Sequence, residues 1–471
     1  MKLICEVNEM EVNTNLESQP EQVISKKMSL YKTIWRWHFY GGMIFAPILI
    51  LLAITGSIYL FKPYVEPMLD PDLHYVEKGS RELTPSLQLK AVKDKYPVDA
   101  ITSFTNVKNP ERATEVGIAK GDVSYTVFVN PYTGKVLGEL QNDKRLMEII
   151  VKLHGEVMVG KMGDHLVELS ASWAIILLVT GLYLYFPRSK QTFLDVIRIR
   201  IGKGSRVFWR DLHASTGFWM TIILLMLVLS GLPWASSFGE RLNTFVAKAD
   251  LSNAPEHLWD GSIQSTKVTK EIAKTPWAAE NIPVPESVYS NKGMLPIENV
   301  IKIAEKTNIY PGYTINMPEG DTGVYLISSY GFAAGSVKNY VTMDIDQYSG
   351  KVLLDYRWKD YSLFDKTVET GIALHEGRYF GVANLIIDLI ACLSLILIVL
   401  SGITMWWKRR PKGKIGIPKA SEGNKFYLGV LLISVICGLL MPMVGISIFL
   451  IGLIEFIVKF IKQKVRRPGL E

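Results

Sequence analysis

The sequence has few cysteines and lacks the short motifs that identify several common protein classes. Only three cysteines occur among 471 residues, Cys5, Cys392 and Cys437, and they form neither a disulfide framework nor a C-x-x-C metal site. No G-x-G-x-x-G fingerprint for a dinucleotide is present. The polar N-terminal segment lacks the pattern of a cleavable signal peptide. These absences argue against a disulfide-stapled secreted protein and against a resident nicotinamide or flavin dinucleotide site.

The composition indicates membrane segments mixed with water-exposed domains. Hydrophobic residues make up 48% of the chain, and the mean hydropathy is +0.18. The net charge is +7, but the basic residues cluster beside apolar runs. The positive-inside rule explains that clustering, so we expect no nucleic-acid partner.

Five apolar regions are long enough to cross a lipid bilayer. A hydrocarbon core of about 30 Å requires about 20 apolar residues in a helix. Four runs each predict one span: Tyr40–Phe61, Val167–Phe186, Gly217–Trp234 and Ala383–Trp407. The fifth region, Phe426–Ile461, is too long for one helix and is interrupted by Pro442, so we predict a two-helix hairpin there.

Lysine and arginine residues predict the orientation of the spans. Basic segments precede the first span, join the second to the third, follow the fourth and close the chain. All four lie on one side of a six-span topology, which predicts that both termini are cytoplasmic. The polar segments Lys62–Val151 and Ser236–Thr370 are then expected outside.

Each polar segment has the pattern of a small α+β domain. A helical period in "LTPSLQLKAVKDKYP" precedes strand-like alternation that ends in "NPYTGKVL". In the second segment, "LPIENVIKIAEKTNI" precedes a hairpin that contains "DQYSGKVL". The same unit is therefore used twice, and the stretch Asp250–Ser290 is expected to be an irregular connection.

The spans repeat as well, and the repeat places four histidines in equivalent positions. Gly56 follows His38 by 18 positions, and Gly231 follows His213 by the same number. A glycine follows His154 and His375 by 27 positions in each case. The sequence thus predicts a mainly α-helical membrane protein built from two span–domain–span copies, with four core helices and the C-terminal hairpin added.

A pseudo-two-fold axis would bring His38 to His213 near the cytoplasmic surface and His154 to His375 near the outer surface. Ionisable residues inside membranes are usually functional, although an interfacial histidine can also rest at headgroup level. Paired imidazoles between helices suit haem iron, whereas zinc or copper more often recruits carboxylates, thiols or a third histidine. Because one haem cannot bridge about 30 Å, the spacing predicts two haem groups.

Other residues near these histidines have two interpretations each. Gly41, Gly42 and Gly217 leave room for a flat macrocycle or simply allow close helix packing. Arg36 and Arg210 are candidate contacts for haem propionates, or examples of the positive-inside rule.

Three further histidines have no partner in the repeat. His165 lies 11 residues beyond His154, about three helical turns, which makes it an alternative ligand, a neighbour of a ligand or a residue on the substrate side. His74 and His257 lie in the polar segments, where we expect surface positions.

The segments "LHGEVMVGKMGDHLVELSASWAIILLVTGLYLYFPR" and "FWRDLHASTGFWMTIILLMLVLSGLPW" resemble the PepSY-associated transmembrane family, or iron-regulated membrane proteins. "VFVNPYTGKVLG" and "VTMDIDQYSGKVL" resemble PepSY domains. The resemblance covers about Tyr31 to Arg410. It implies a ferric-siderophore reductase of the ferrioxamine type in a bacterial inner membrane, with two haem b groups and with His38, His213, His154 and His375 as axial ligands.

The sequence leaves three hypotheses for the function. The first is a transmembrane haem enzyme that takes electrons from a quinol or cytoplasmic donor and reduces an outer ferric siderophore or other ferric chelate. The second is a PepSY binding or regulatory protein without redox activity, and the third is a transporter.

The predicted segments follow this order along the chain. They are a leader (1–37), span one (38–61), PepSY domain one (62–151), outer histidine segment and span two (152–187), basic loop (188–212), span three (213–235), PepSY domain two (236–370), outer histidine segment and span four (371–408), cytoplasmic loop (409–424), hairpin (425–463) and tail (464–471).

Overall fold

The computed structural model describes residues 18–107, 109–186, 198–252, 264–291, 293–411, 413, 435 and 438–465. The chain is mainly helical. Its helices are α1 Ser18–Tyr59, α2 Lys62–Leu69, α3 Pro71–His74, α4 Pro85–Lys95, α5 Leu146–Glu156, α6 Lys161–Tyr185, α7 Ser205–Gly231, α8 Ser236–Lys248, α9 Thr269–Ile272, α10 Ile297–Lys306, α11 Gly331–Ala334, α12 Leu363–His375, α13 Val382–Arg409 and α14 Pro442–Val465.

Within the part of the chain that the structure describes, four helical segments are long and apolar enough to cross a membrane. They are Tyr31–Tyr59, Lys161–Tyr185, Ser205–Trp234 and Val382–Arg409. Each contains most or all of one predicted span, and each begins before the apolar run does. Helix α14 starts at Pro442, as expected for a residue whose missing N–H is harmless in the first turn. The predicted first helix of the hairpin falls largely on residues outside the described ranges.

In the described residues, ten strands form two sheets. The strands are β1 Ala100–Thr105, β2 Thr114–Lys120, β3 Val123–Val129, β4 Val136–Gln141, β5 Gln264–Val268, β6 Pro283–Pro285, β7 Thr314–Asn316, β8 Val324–Ser329, β9 Val341–Asp346 and β10 Val352–Arg357. The larger sheet has the order β10-β9-β8-β7-β1-β2-β3-β4. Strands β1 and β7 meet antiparallel at its centre, with Phe104 opposite Ile315. One continuous sheet therefore runs through both polar segments, which the sequence predicted as separate domains.

The two halves of this sheet use the same turn. Between β3 and β4, the Asn130 side chain accepts the N–H groups of Tyr132 and Thr133, and Gly134 has φ +72°. Between β9 and β10, Asp346 accepts the N–H groups of Tyr348 and Ser349, and Gly350 also has φ +72°. Asn and Asp form such turns readily, and glycine adopts positive φ without strain. The repeated octapeptide is thus a repeated hairpin turn.

Helices α4 and α10 cover one face of the sheet. Val92 from α4 and Val300 from α10 are fully buried in one cluster with strand residues such as Val116 and Ile327. The Ser86 hydroxyl and N–H both donate to the Glu298 carboxylate, at 2.6 and 2.8 Å. Burial of these apolar side chains is the main stabilising contribution, at about 25 cal/mol per Å².

The connection between α8 and α10 differs from the irregular segment that we predicted. Where the structure describes it, it contains the two-stranded sheet β5–β6 and helix α9. Trp277 and Ile282 from this connection pack in a second cluster with Tyr356 of β10 and Ile372 of α12. This cluster anchors α12, the helix that carries His375, to the sheet.

The prediction of a surface position for His74 is wrong. Its side chain is only 2% exposed, packs edge-on against Phe128 and receives a hydrogen bond from Arg112 at 3.0 Å. A four-residue helix is too short for its sequence pattern to distinguish a buried face from an exposed one, so the burial of His74 could not be predicted. His257 lies outside the described residues.

The chain divides into two compact units. A smaller unit comprises the described parts of 1–47, 172–221 and 397–471. A larger unit comprises those of 48–171 and 222–396 and contains both sheets. Each unit holds one histidine pair.

Candidate functional site: two histidine pairs

The first pair, His38 and His213, lies in the smaller unit. His38 comes from α1 and His213 from α7, and their ring centres are 6.2 Å apart with nearly perpendicular planes (89°). His38 Nδ1 lies 3.0 Å from the Thr180 hydroxyl. His213 Nδ1 donates to the Ile398 carbonyl at 2.8 Å and lies 3.3 Å from the Ser401 hydroxyl.

The second pair, His154 and His375, lies in the larger unit. These residues come from the last turns of α5 and α12, and their ring centres are 6.3 Å apart at an interplanar angle of 76°. His154 Nδ1 lies 2.8 Å from the Thr55 hydroxyl. His375 Nδ1 donates to the Leu227 carbonyl at 2.7 Å and lies 3.2 Å from the Ser230 hydroxyl.

All four histidines contact the same two-residue step, a hydroxyl residue followed by glycine. The steps are Thr55-Gly56, Thr180-Gly181, Ser230-Gly231 and Ser401-Gly402. A Cβ placed on each of these glycines would lie 3.1–3.6 Å from the Cε1 atom of the histidine that the neighbouring hydroxyl contacts. The missing side chain therefore lets each imidazole lie directly against a helix backbone.

The hydrogen bonds assign the protonated nitrogen of each ring. A carbonyl oxygen only accepts, so Nδ1 of His213 and of His375 must carry the hydrogen. The Thr180 hydroxyl donates its own hydrogen to the Ile176 carbonyl at 2.6 Å, which leaves its oxygen free to accept from His38 Nδ1. Thr55 does the same through the Leu51 carbonyl at 2.8 Å. The Nε2 atom of each neutral ring is thus left with its lone pair.

The glycines that the sequence singled out near the first pair have different roles. A Cβ on Gly41 would lie 2.9 Å from the Trp173 ring, so its small size serves helix packing. A Cβ on Gly42 would only touch Leu177 at 4.0 Å, and one on Gly217 would meet no atom within 4 Å. Open space beside His213 thus exists at Gly217.

The two candidate arginines also differ. The Nε atom of Arg36 is buried and has no hydrogen-bond partner. Arg210 is bound to Asp211 at 2.7 Å, and Asp211 also accepts from Arg200 at 2.8 Å. Asp211 is 6% exposed and forms ion pairs with both guanidinium groups. Of the two, Arg36 has a buried donor without a partner.

His165 belongs to a different arrangement. Its Nδ1 lies 3.4 Å from the Ser237 hydroxyl at the start of α8. Glu168 accepts the Ser237 N–H at 2.8 Å, and Asp164 accepts the N–H of Ser236 at 3.2 Å and its hydroxyl hydrogen. Carboxylates at a helix N-terminus stabilise its unpaired N–H groups and its dipole. His165 therefore lies beside the N-terminus of α8.

A cavity of about 360 Å³ lies beside the second pair. Trp234 lines it, and the ring centre of Trp234 is 6.2 Å from that of His375. Tyr330, Tyr340, Glu369 and Arg378 also line the cavity.

No group of three or more His, Cys, Asp or Glu side chains able to hold a bare metal ion occurs in the described part of the chain. The sequence spacing led to all four paired histidines but not to the hydroxyls that hold them. The recurring Thr-Gly or Ser-Gly step was the available signal. The role of Asp211 had no such signal in the sequence, because nothing near it in the chain predicts its ion pair with Arg200.

The comparisons with known proteins agree with this picture at the level of a family. A family model described as the PepSY-associated TM region matches residues 35–409, a range that includes all four paired histidines. None of the curated proteins compared with the chain matches it.

Proposed function

Because the chain belongs to the PepSY-associated transmembrane region family, whose model covers 35–409, we propose that it is a membrane electron-transfer protein with two haem b groups. One haem would be held by His38 and His213, and the other by His154 and His375. Electrons would reach an acceptor outside a bacterial inner membrane, and that acceptor is a ferric siderophore or other ferric chelate.

The observation that carries this proposal is the common geometry of the two pairs. Each consists of two imidazoles with Nδ1 engaged and Nε2 free, with ring centres 6.2 or 6.3 Å apart. Two imidazoles that bind one metal from opposite sides, with bonds of about 2 Å, place their ring centres about 6 Å apart. A hydrogen bond from the second ring nitrogen is the usual support of a metal-bound histidine.

The surrounding residues fit a haem better than a bare ion. Two histidines supply two ligands, whereas zinc and copper sites in proteins commonly use three or four. A haem would bring further ligands of its own. The unpartnered Nε of Arg36 is a donor suited to a propionate near the first pair, and Gly217 leaves open space there.

When bound, haem supplies one-electron transfer between ferric and ferrous iron. The chain's own contribution is to fix the imidazoles, to select their tautomer and to exclude other ligands. The repeated hydroxyl-glycine step and the repeated hairpin turn support an origin of the two halves as copies of one unit, each with its own PepSY domain. Each copy then supplies one histidine to each pair.

The sequence orientation would put the first pair near the cytoplasmic surface and the second near the outer surface. A quinol or a cytoplasmic reductase would be the electron donor. Reduction of Fe(III) to Fe(II) weakens its bond to a hard-oxygen chelator, which releases the iron.

Stopped-flow mixing of the chemically reduced, full-length protein with a ferric trihydroxamate tests this function. We expect reoxidation of the protein with Fe(II) trapped by a ferrous-specific dye. His375→Ala should abolish this reaction, whereas the matched variant His165→Ala should retain it, since His165 bonds Ser237 instead. Failure of the reduced wild-type protein to transfer electrons to any ferric chelate would contradict the proposed function.

A further inference from the structure

The cavity beside the second pair combines aromatic faces with one deeply buried acid. Trp234, Trp277, Tyr330 and Tyr340 supply ring surface, and Glu369 is a carboxyl only 1% exposed. Rings of this kind bind apolar or planar parts of a ligand. A volume of about 360 Å³ is within the range of small-molecule sites.

The cavity also lies close to the second histidine pair. Trp234 lines it and stands 6.2 Å, ring centre to ring centre, from His375. Helix α12 carries both Glu369, in its middle, and His375, at its end. A molecule in the cavity would therefore meet the acid and the edge of the histidine site together.

Glu369 lines the cavity and has a backbone hydrogen-bond partner. One carboxylate oxygen accepts the Ala278 N–H at 3.1 Å. The charged and titratable groups that interact with it are Glu280, Glu376, Arg378, Tyr340, Tyr356 and Tyr361, and Lys270 and Lys274 line the same cavity. Burial outweighs the Ala278 hydrogen bond and the attraction of Arg378, and it raises the pKa of Glu369 to about 7. The group thus holds its proton in mildly acidic solution and releases it in alkaline solution.

We propose that this cavity binds the ferric chelate and that Glu369 is the acid that protonates the chelator oxygen as it leaves the iron. This inference rests on the proposed function and assigns it a binding site and a further catalytic residue. Arg378 is already paired with Glu376, so it is not the proton donor.

The step balances in electrons and protons. One electron, which the haem held by His154 and His375 would supply, reduces the bound Fe(III) to Fe(II). An iron–oxygen bond to the chelator breaks, and the oxygen keeps the electron pair. That oxygen takes the proton from Glu369, which becomes a carboxylate and is reprotonated from the water outside. Protonation prevents the oxygen from binding the iron again.

Binding is tested without electron transfer by a gallium(III) trihydroxamate, which cannot be reduced under these conditions. Calorimetric titration of the full-length protein should show binding that Trp234→Ala weakens at least tenfold. Trp219→Ala is the matched control, because Trp219 is 56% exposed and does not line the cavity. Equal affinity in both variants would overturn the assignment of the cavity.

The acid is tested by single-turnover reduction of the iron(III) trihydroxamate between pH 5.5 and 8.5. In the wild type the rate should fall about tenfold per unit above pH 7, since the protonated acid is lost there. Glu369→Gln can still accept the Ala278 N–H, so it should bind gallium trihydroxamate normally. Its reduction rate should be at least tenfold lower at pH 6 and independent of pH.

Glu168→Gln provides the matched control. Glu168 is also 1% exposed and also accepts one backbone N–H, but it caps α8 and does not line the cavity. It should keep the wild-type profile. If Glu369→Gln keeps the wild-type pH dependence while electron transfer proceeds, the assignment of Glu369 as the proton donor is wrong and the proposed function stands. If no variant or wild type reduces the chelate, both are wrong.

Discussion

His38 Nδ1 lies 3.0 Å from the hydroxyl oxygen of Thr180, although 142 positions separate them in the chain. The same relationship joins His154 to Thr55, His213 to Ser401 and His375 to Ser230. Supporting hydrogen bonds of this kind fix the orientation and basicity of a metal-bound imidazole. The hydroxyls are therefore part of the site.

Thr180→Val should weaken haem binding at the first pair about tenfold, the lower end of the usual range for such partners. The effect is limited because His38 also hydrogen-bonds the backbone of Leu177. Haem titration of the apoprotein measures it. Thr404→Val is the control, since the Thr404 hydroxyl is exposed and donates only to the Leu400 carbonyl. Equal losses in both variants would mean that the hydroxyl has no specific role.

Gly231→Val should displace the His375 ring. A Cβ at this position would lie 3.1 Å from Cε1, and the two methyl groups of valine need more room than that. We expect loss or a changed spectrum of one haem and an unchanged other haem. Gly202→Val, at a position with no atom within 4 Å, should leave both spectra intact. Two unchanged haems in Gly231→Val would contradict the described packing.

The assignment of two histidines to each haem predicts which variants lose the same haem. His38→Ala and His213→Ala should remove the same haem, and His154→Ala and His375→Ala the other. Potentiometric titration of each variant, followed by absorbance, distinguishes the two components. A result in which His38→Ala and His213→Ala lose different haems would show that the pairs are wrong.

The spacing alone predicted which histidines pair, because the 18- and 27-residue spacings place His38 and its counterparts in equivalent positions of the repeat. Four apolar runs also predicted the four long helices, since apolar length determines a span directly. The residues that contact these histidines were harder to predict from the sequence. Which hydroxyl faces His38 depends on how α1 and α6 rotate against each other, and periodicity does not specify that rotation.

The centre of the large sheet could not be predicted for a related reason. Phe104 of β1 and Ile315 of β7 pair across two segments that each have a complete strand pattern of their own. Edge strands expose unpaired N–H and C=O groups, and what covers them is decided by tertiary packing. The deep burial of His74 likewise depends on contacts with Phe128 and Arg112 that are distant in sequence.

Asp344 predicts a dependence of stability on pH. It lies on β9 with both carboxylate oxygens buried and without a hydrogen-bond partner, and burial raises its pKa to about 8. The unfolded chain, with the ordinary value of 3.8, loses this proton first. The free energy of unfolding should therefore fall as pH rises from about 4 to 8, by at most about 1.4 kcal/mol per unit.

Asp344→Asn should flatten that dependence in thermal unfolding of the full-length protein in detergent between pH 5 and 8. Asp122→Asn, on an exposed turn, should leave the slope unchanged. A steep wild-type slope that persists in Asp344→Asn would assign the effect to another group.

The most direct test of the account is an absorbance spectrum of the full-length protein, purified after expression with ample haem, before and after addition of dithionite. Low-spin haem b with two histidine ligands predicts a strong Soret band and sharp α and β bands on reduction, with two haems per chain by pyridine haemochrome. A colourless protein would contradict haem ligation by His38, His213, His154 and His375, and with it the proposed electron transfer.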